Sequence, residues 1–338
     1  MRLSWKQYDL KLKHTFRISR SARDMASVII LEFDHDGIIG YGEASPAKRY
    51  GESLDTIVSF LQKINLSRFE SPFLLDDILN YVDSIEKGNT SAKCAIDLAL
   101  HDWIGKKLGV PLYQLWGLNP AKTAKCSFTI AIDSKEIVEQ KVREAEEYPI
   151  LKVKVGLDND KEMIDTIRKI TDKVLYVDAN EGWKDKHLAL ERIKWLKDQN
   201  VEFVEQPMPA EQFDDIKWLR DKSDLPLIAD ESVLRLEEIP KLAEAYDGIN
   251  IKLMKCTGLR EAVRMINTAQ ALKMKIMMGC MIETAVGISA GAHLGPLLDY
   301  ADLDGNVLIS NDPFDGVRNI RGELKLNSKP GLGVTVIH

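Results

Sequence analysis

The sequence of 338 residues predicts an α/β protein in which a closed, eight-stranded parallel barrel follows a smaller α+β domain. From about residue 124, apolar strands alternate with charge-rich helical segments. Before that point, strands come first and helices follow. The length is too great for one small domain and suits a barrel with a smaller companion.

The composition is that of an ordinary soluble protein, with 45% hydrophobic and 29% charged residues. A net charge of −6 argues against a general nucleic-acid-binding protein. No apolar stretch approaches the roughly 20 residues that span a bilayer, and the first residues lack the apolar core of a signal peptide. We therefore expect a cytoplasmic protein without nucleic-acid or membrane partners.

The cysteines and histidines exclude several kinds of metal site. Cys94, Cys126, Cys256 and Cys280 lie far apart without a CxxC pair, which indicates free thiols in a reducing compartment. The six histidines form neither an HxH nor an HExxH pattern. Any bound metal is therefore expected to be a hard cation held by carboxylates.

The N-terminal region predicts an antiparallel sheet followed by helices. Ser27–Phe33 and Ile38–Ala44 read as strands joined by a tight turn at Asp36-Gly37. Ser19–Asp24 and Lys48–Ser53 read as polar loops. Helical periodicity follows in three segments, of which the last is apolar all round and should be buried: Leu54–Ile64, Leu74–Ile85 and Ser91–Leu108.

The remainder predicts the barrel and a C-terminal return. Eight apolar strands are expected near residues 126–131, 150–155, 174–178, 201–205, 226–230, 248–252, 275–280 and 298–303. Their Val/Ile/Leu runs favour a closed barrel over an open sheet. Asp312–His338 has hairpin character, and we expect it to return to the N-terminal domain.

The strand Leu151–Gly156 carries two lysines, Lys152 and Lys154. Side chains alternate along a strand, so both lysines point to the same face. Two ammonium groups on one buried face repel each other and lose hydration, which predicts a lysine pKa lowered towards that of a general base. Taken alone, an edge strand with solvated lysines is the commoner explanation.

Three acidic residues end three successive strands: Asp178, Glu205 and Asp230. Active sites of parallel barrels gather at the carboxyl ends of the strands. Each residue alone is more often a helix cap or a loop charge, but together their oxygens suit an octahedral Mg²⁺ that keeps positions for water and substrate. We expect Asn180 and Glu231, beside these ligands in the chain, to support them.

A second lysine faces Lys154 across the barrel mouth, because Lys154 ends the second strand and Lys252 the sixth. The three carboxylates lie on the strands between them. A substrate carboxylate at the metal would have a lysine on each side of its α-carbon. This arrangement suits removal of the α-proton and its return from the other face, with the metal stabilising the enediolate.

The order Lys-x-Lys, Asp178, Glu205, Asp230, Lys252 resembles the muconate-lactonizing-enzyme subgroup of the enolase superfamily. The resemblance covers essentially the whole chain and includes the contexts Glu205-Gln206-Pro207 and Asp230-Glu231-Ser232. The absence of a histidine at the end of the seventh strand points away from the mandelate racemase branch.

This resemblance implies a (β/α)7β barrel, a modified TIM barrel, over residues 121–311. It implies an α+β capping domain over 1–120, to which 312–338 returns. The three carboxylates would be Mg²⁺ ligands, and Lys154 and Lys252 an acid/base pair. Lys152 would tune Lys154.

The residues of the eighth strand indicate which enzymes of this subgroup the chain resembles. Asp302 and Asp304 are two residues apart and share a face if extended; a turn at Asp304-Gly305 is an equally good explanation. The Asp-x-Asp motif looks like that of dipeptide epimerases, where it holds the α-ammonium of the substrate. The matching family position implies that Thr129 contacts the substrate backbone, although threonine is also common in strands.

The sequence offers two kinds of contact for the side chain of a dipeptide substrate. Arg20 or Arg23 could pair with an acidic side chain, as in L-Ala-D/L-Glu epimerases. Softer contacts could come from Ser21, Met25, Tyr50, Met281 and Ile282. Hydrophobic or broad dipeptide specificity is slightly favoured, because neither arginine has a fixed neighbour in the sequence.

Three alternatives remain beside this interpretation. L-Ala-D/L-Glu epimerase activity proper is one. N-acylamino-acid racemase or o-succinylbenzoate synthase activity would use the same lysines and metal, but its substrates offer no ammonium to the two aspartates. A non-catalytic binding protein of the same fold would be expected to have lost some of these residues. A homo-oligomer is expected from its frequency among soluble enzymes.

Overall fold

The computed structural model describes residues 1–337 of the chain. The strands are β1 (Arg2–Ile18), β2 (Ser21–His35), β3 (Ile38–Ala44), β4 (Phe128–Ile130), β5 (Ile150–Lys154), β6 (Val174–Asp178), β7 (Val201–Glu205), β8 (Leu227–Ala229), β9 (Gly248–Lys252), β10 (Lys275–Gly279), β11 (Tyr300–Asp302), β12 (Phe314–Asp315), β13 (Arg318–Ile320), β14 (Glu323–Lys325) and β15 (Thr335–Val336). The helices are α1 (Leu54–Leu61), α2 (Leu75–Ile85), α3 (Thr90–Leu108), α4 (Leu112–Leu115), α5 (Lys135–Glu144), α6 (Asp160–Arg168), α7 (Lys186–Lys197), α8 (Phe213–Arg220), α9 (Ile239–Leu242), α10 (Leu253–Cys256), α11 (Leu259–Ala271) and α12 (Ala285–His293). Short 3-10 helices lie at Lys48–Tyr50, Leu66–Arg68, Pro120–Lys122, Leu236–Glu238 and Gly295–Leu297.

Strands β1, β2 and β3 form an antiparallel sheet in that order, and with α1–α3 they make up what we call the cap. The predicted loop Ser19–Asp24 is wrong in part, because β2 already begins at Ser21 and pairs with Ile18. Only Ser19 and Arg20 form the turn. The outer end of this hairpin is largely exposed, so it needs no apolar residues and its composition resembles that of a loop.

Helix α3 is buried on all sides, as its sequence predicts, because it lies between the cap sheet and the barrel. The close approach to β3 depends on glycine: a Cβ at Gly42 would lie 1.8 Å from the carbonyl oxygen of Ala95. On the barrel side, Asp97 accepts hydrogen bonds from the backbone N–H groups of Leu259 (2.6 Å) and Arg260 (3.2 Å) at the start of α11. A buried carboxylate from the cap thus satisfies a helix terminus of the barrel.

Strands β4–β11 run parallel in chain order and confirm the predicted eight-stranded barrel. The first and last strands approach where the N–H of Ser127 donates to the carbonyl of Ala301 at 3.0 Å. Inside the barrel, below the carboxyl ends of the strands, lies an apolar cluster formed by Tyr176, Phe203, Ile228, Met277 and Tyr300. This cluster fills the floor, so polar side chains gather at the opposite end.

The C-terminal segment returns across both parts of the molecule. The N–H of Leu332 donates to Asp102 of α3 at 2.8 Å, and the N–H of Cys126, next to the first barrel strand, donates to the carbonyl of Gly322 at 2.8 Å. The predicted range extends to His338, which lies outside the described residues. Within residues 1–337, no helix is long and apolar enough to cross a membrane.

Candidate active site

Three buried carboxylates meet at the carboxyl ends of neighbouring barrel strands. Asp178 ends β6 and is paired in register with Glu205, which ends β7. Asp230 directly follows β8. All three are at most 1% exposed, and one oxygen from each can be chosen so that all lie within 4.8 Å of one another. The sequence placed these residues on separate strands, and the fold brings them together.

One oxygen of each carboxylate is held by a donor of the protein framework. The three donors are the backbone N–H of Asn180 to Asp178 Oδ1 (2.9 Å), Nδ2 of Asn250 to Glu205 Oε1 (2.7 Å) and Nζ of Lys255 to Asp230 Oδ1 (2.6 Å). Each carboxylate is therefore oriented, and one of its oxygens is already occupied.

The other oxygens face lysine ammonium groups. These contacts are Lys154 Nζ to Asp178 Oδ2 (2.6 Å), Lys152 Nζ to Glu205 Oε2 (2.7 Å) and Lys252 Nζ to Asp230 Oδ2 (2.7 Å). The Glu205 contact lies within ion-pair distance but lacks hydrogen-bond geometry. Three carboxylate oxygens with positive charge in front of them form a donor set that fits a hard divalent cation. The residues present thus suit the Mg²⁺ that the sequence predicts.

The carboxylates depend on this positive charge. Burial raises the pKa of Glu205 to about 8, with Asp178 as a further cause. Burial also acts on Asp178, but Lys154 and Lys152 outweigh it and lower that pKa to about 2. Crowding three carboxylates in a dry site is costly unless cations pair with them.

The predicted lowering of a lysine pKa is wrong for Lys152. Burial does lower the pKa of Lys152, but Asp302 and Glu205 outweigh it and the pKa is raised well above its ordinary value. The pKa of Lys252 is likewise raised, because Asp230 outweighs burial. The prediction counted the repulsion between lysines and omitted the carboxylates that the fold places against them.

Asp302 and Asp304 follow one another at the end of β11 but have different partners. Asp302 accepts hydrogen bonds from Lys152 Nζ at 2.7 Å and from Ser127 Oγ at 2.8 Å. Asp304 accepts one from the backbone N–H of Thr129 at 2.7 Å and forms no ion pair within residues 1–337. Burial, with Asp302 as a further cause, raises the pKa of Asp304 to about 7. Asp304 is thus a buried carboxyl group without a cation.

The cap contributes side chains over the mouth of the barrel. Arg20 lies 2.6 Å from Glu231 Oε1 and donates to the carbonyl of Asn180 at 3.1 Å. The expectation that neither arginine has a fixed neighbour is therefore wrong for Arg20. Arg23 forms no ion pair in the described chain; its side chain reaches the surface, but partial burial lowers its pKa. Burial, with Asp230 as a further cause, raises the pKa of Tyr50.

Met281 and Ile282 lie in the loop after β10, and Met281 is half-buried while Ile282 is 2% exposed. Ser45 of the cap donates its hydroxyl to the carbonyl of Ile282 at 2.9 Å. A further link from the cap is the bidentate pair of Arg49 with Glu181, at 2.9 and 3.0 Å. The cap and the strand-end loops are thus joined around the mouth.

Sequence reasoning missed four side chains of this region: Arg49, Ser127, Asn250 and Lys255. A signal existed for two of them. Ser127 precedes Thr129 by two residues and Asn250 precedes Lys252 by two, so each shares the inward face of a strand with a predicted site residue. Lys255 lies three residues after Lys252 on a short helix, α10, that was not predicted.

Two family models match the chain. The mandelate racemase / muconate lactonizing enzyme N-terminal domain matches residues 6–117, and the enolase C-terminal domain-like model matches residues 136–338. These models together cover most of the chain, including all residues of the triad.

Similar proteins carry related names. The L-Ala-D/L-Glu epimerase of Bacteroides thetaiotaomicron is 50% identical over 100% of this chain and 88% of its own length. The L-Ala-D/L-amino acid epimerase of Pedosphaera parvula is 43% identical over 98% of each chain. A solved structure of the dipeptide epimerase of Enterococcus faecalis with Mg and L-Leu-L-Tyr has a TM-score of 0.91 and 31% identity, covering 98% of both chains.

Proposed function

Because the chain belongs to the mandelate racemase / muconate lactonizing enzyme family of the enolase superfamily, we propose that it is a Mg²⁺-dependent dipeptide epimerase. It inverts the α-carbon of the C-terminal residue of a dipeptide. The observation that carries this proposal is the placement of Lys154 and Lys252 on opposite sides of the carboxylate triad, with the buried, unpaired Asp304 nearby.

The two lysines act as the acid/base pair. Lys154 approaches the triad at Asp178 and Lys252 approaches it at Asp230, while Glu205 lies on the strand between them. A substrate carboxylate at the triad therefore has one Nζ on each side of its α-carbon. One lysine, as the neutral amine, takes the α-proton and becomes an ammonium, while the other, as the ammonium, delivers a proton to the opposite face and becomes the amine, so the configuration inverts.

Asp178, Glu205 and Asp230 hold Mg²⁺ in this proposal. When bound, Mg²⁺ supplies positive charge beside the substrate carboxylate, where negative charge develops as the α-proton leaves. With the triad oxygens given to the cation, Lys154 and Lys252 lose their present partners and face the substrate. Lys152 remains paired with Asp302 and orients it.

Asp304, together with Asp302, accepts the α-ammonium of the dipeptide. A buried carboxyl group without a cationic partner is costly, and a substrate ammonium would remove that cost. An N-acylated amino acid has no such ammonium. This favours dipeptides over the substrates of N-acylamino-acid racemases and o-succinylbenzoate synthases.

We propose hydrophobic or broad specificity at the epimerised residue. The guanidinium of Arg20 is already paired with Glu231, which reduces its attraction for a substrate carboxylate. The half-buried Met281 offers apolar contact, and the buried Ile282 packs beside it in the same loop. The second candidate is L-Ala-D/L-Glu epimerase activity proper, which the 50% identity to the Bacteroides thetaiotaomicron protein favours. In that case Arg23, which has no ion-pair partner within residues 1–337, pairs with the acidic side chain.

Mass-spectrometric screening of L,L-dipeptide libraries in D₂O with Mg²⁺ tests both the epimerase activity and the side-chain preference. The expected result is a gain of one deuteron in a subset of dipeptides, and the labelled subset gives the side-chain preference. Label confined to N-succinyl amino acids would instead assign racemase activity. Asp302→Asn should weaken turnover of dipeptides far more than that of N-acylated substrates, and an equal loss on both would contradict ammonium recognition.

Domain limits, assembly and location are further parts of the proposal. We propose a capping domain of residues 1–120 with the 312–338 return, in a cytoplasmic homo-oligomer. Three of the four free cysteines are buried, which suits a reducing compartment. Light scattering of the purified chain tests the oligomer, since a monomeric mass at micromolar concentration would contradict it, and fractionation of cells tests the location.

A further inference from the structure

The two lysines that contact Asp230 are bound in different ways. Lys255 Nζ donates to Asp230 Oδ1 (2.6 Å), to the carbonyl of Asp230 (2.5 Å) and to the carbonyl of Asn250 (3.3 Å), so all three ammonium protons have acceptors. Lys252 Nζ has one acceptor, Asp230 Oδ2 at 2.7 Å. The side chain of Lys255 is 1% exposed and that of Lys252 is 9% exposed. Lys255 is therefore locked in place, whereas Lys252 can leave.

Glu205, like Asp230, has a fixed hydrogen-bond donor on one of its two carboxylate oxygens. Asn250 donates from Nδ2 to Oε1 at 2.7 Å, and the opposite oxygen faces only Lys152. Asn250 is buried and packs directly against Gly279 of the neighbouring strand, where a Cβ would lie 2.8 Å from Nδ2 and from Oδ1 of Asn250. At Asp178 the corresponding donor is a backbone N–H, that of Asn180, which cannot leave.

In all three ligands one oxygen is bound by a fixed donor. The other oxygen faces Lys252 at Asp230, Lys154 at Asp178 and the fully buried Lys152 at Glu205. The Asp178 oxygen also accepts from Asn180 Nδ2 at 3.3 Å. An oxygen that already accepts a hydrogen bond from a fixed donor is a poorer ligand, so each carboxylate favours a cation bound through its other oxygen. This matters for metal choice, since Mg²⁺ requires about six ligands in near-ideal octahedral geometry, whereas Ca²⁺ takes about 6–8 oxygens and readily accepts both oxygens of a carboxylate.

We propose that Lys255 and Asn250 are positioning residues that restrict Asp230 and Glu205 to one-oxygen ligation and so select Mg²⁺ over Ca²⁺. Neither residue touches the metal. Lys255 also adds a fixed positive charge, which by itself opposes binding of any divalent cation. The two effects of Lys255 predict different results when it is removed: loss of charge alone would tighten both metals equally, whereas loss of positioning changes their ratio.

The test uses calorimetric titration of MgCl₂ and CaCl₂ into the chelator-treated full chain, so it does not depend on epimerase activity. In Lys255→Met, the Ca²⁺ dissociation constant divided by the Mg²⁺ dissociation constant should fall about tenfold or more. Changes of about 10–100-fold are seen when partners of metal ligands are removed. Lys93→Met is the matched control. Lys93 is also buried and donates to one carboxylate and two carbonyls, those of Asp83 and Glu86, but lies in the cap.

A second variant keeps the proposal testable if Lys255→Met does not fold. Asn250→Ala frees the other carboxylate without removing a charge, and it should shift the same ratio in the same direction. An unchanged ratio in a folded Lys255→Met protein, or equal tightening of both metals, would overturn the proposal. If Lys255→Met does not fold, the ratio in Asn250→Ala decides.

Discussion

Replacing Asp304 with asparagine should stabilise the metal-free protein in a pH-dependent way. Burial and Asp302 raise the pKa of this carboxyl from 3.8 to about 7. The folded state therefore binds a proton that the unfolded chain has already lost, so Asp304 costs stability as the pH rises from about 4 to 7. At about 1.4 kcal/mol per pKa unit, the cost reaches about 4 kcal/mol above pH 7.

Asparagine carries no charge, and its side-chain oxygen can still accept the N–H of Thr129. The free energy of unfolding of Asp304→Asn should exceed that of the wild type by under about 1 kcal/mol near pH 4 and by about 4 kcal/mol at pH 8. Urea denaturation at several pH values measures this difference. The control is Asp158→Asn at an exposed position, where the change should stay within about 0.5 kcal/mol at every pH.

A constant advantage of Asp304→Asn across this pH range would refute the reasoning, since the burial of a titrating carboxyl would then have no energetic effect. The same variant should lose dipeptide turnover, because a neutral amide does not pair with an ammonium. In the wild type, kcat/KM for dipeptides should fall about tenfold per pH unit below pH 7, as protonated Asp304 no longer attracts the substrate. Gain of stability with loss of turnover would identify Asp304 as a residue retained for binding.

Four further outcomes are expected. Lys154→Ala and Lys252→Ala should each abolish epimerisation while Mg²⁺ affinity by calorimetry stays largely intact, and normal turnover by either would remove the two-base mechanism. Chelation of divalent metal should stop deuterium exchange, and added Mg²⁺ should restore it; exchange that persists would contradict a metal-dependent reaction. Glu43→Ala removes acceptors for Thr284 N, Thr284 Oγ1 and Gly287 N at the start of α12. Urea denaturation near pH 4, well below the Glu43 pKa that burial raises to about 8, should therefore show a loss of about 3 kcal/mol, and a loss under 1 kcal/mol would contradict this role. Gly42→Val should prevent the cap from packing and give insoluble or unfolded chain, whereas a soluble protein with the wild-type melting temperature would contradict the close approach to α3.

The barrel was predictable because its sequence signal is local and repeated. Each strand is a short apolar run and each is followed by a charge-rich helix, so errors at single boundaries do not change the strand order. The exposed hairpin from Ser19 to Met25 lacked that signal. Its residues are held by pairing with β1 and not by burial, and pairing partners distant in the chain leave no pattern in a polar segment.

In the candidate site, too, features with a local sequence signal were predictable and features that depend on distant partners were not. Residues that end strands were found from their positions, since the carboxyl ends of parallel strands meet at one edge. The partners that orient them were missed or misjudged. Arg20 meets Glu231 across more than 200 positions of sequence, and Lys255 reaches Asp230 from a separate short helix. No spacing rule connects such residues.

The sequence alone determined which strands carry ionisable side chains and on which face of each strand they lie, because alternation along a strand is a property of the local backbone. Only the tertiary structure decided what those charges experience. The pKa of a buried lysine or carboxyl depends on the distances to opposite charges, and these distances follow from how strands and loops far apart in the chain pack together. Lys152 is the clearest case, since its neighbour Lys154 predicts a lowered pKa, whereas Asp302 and Glu205, brought close by barrel closure, raise it.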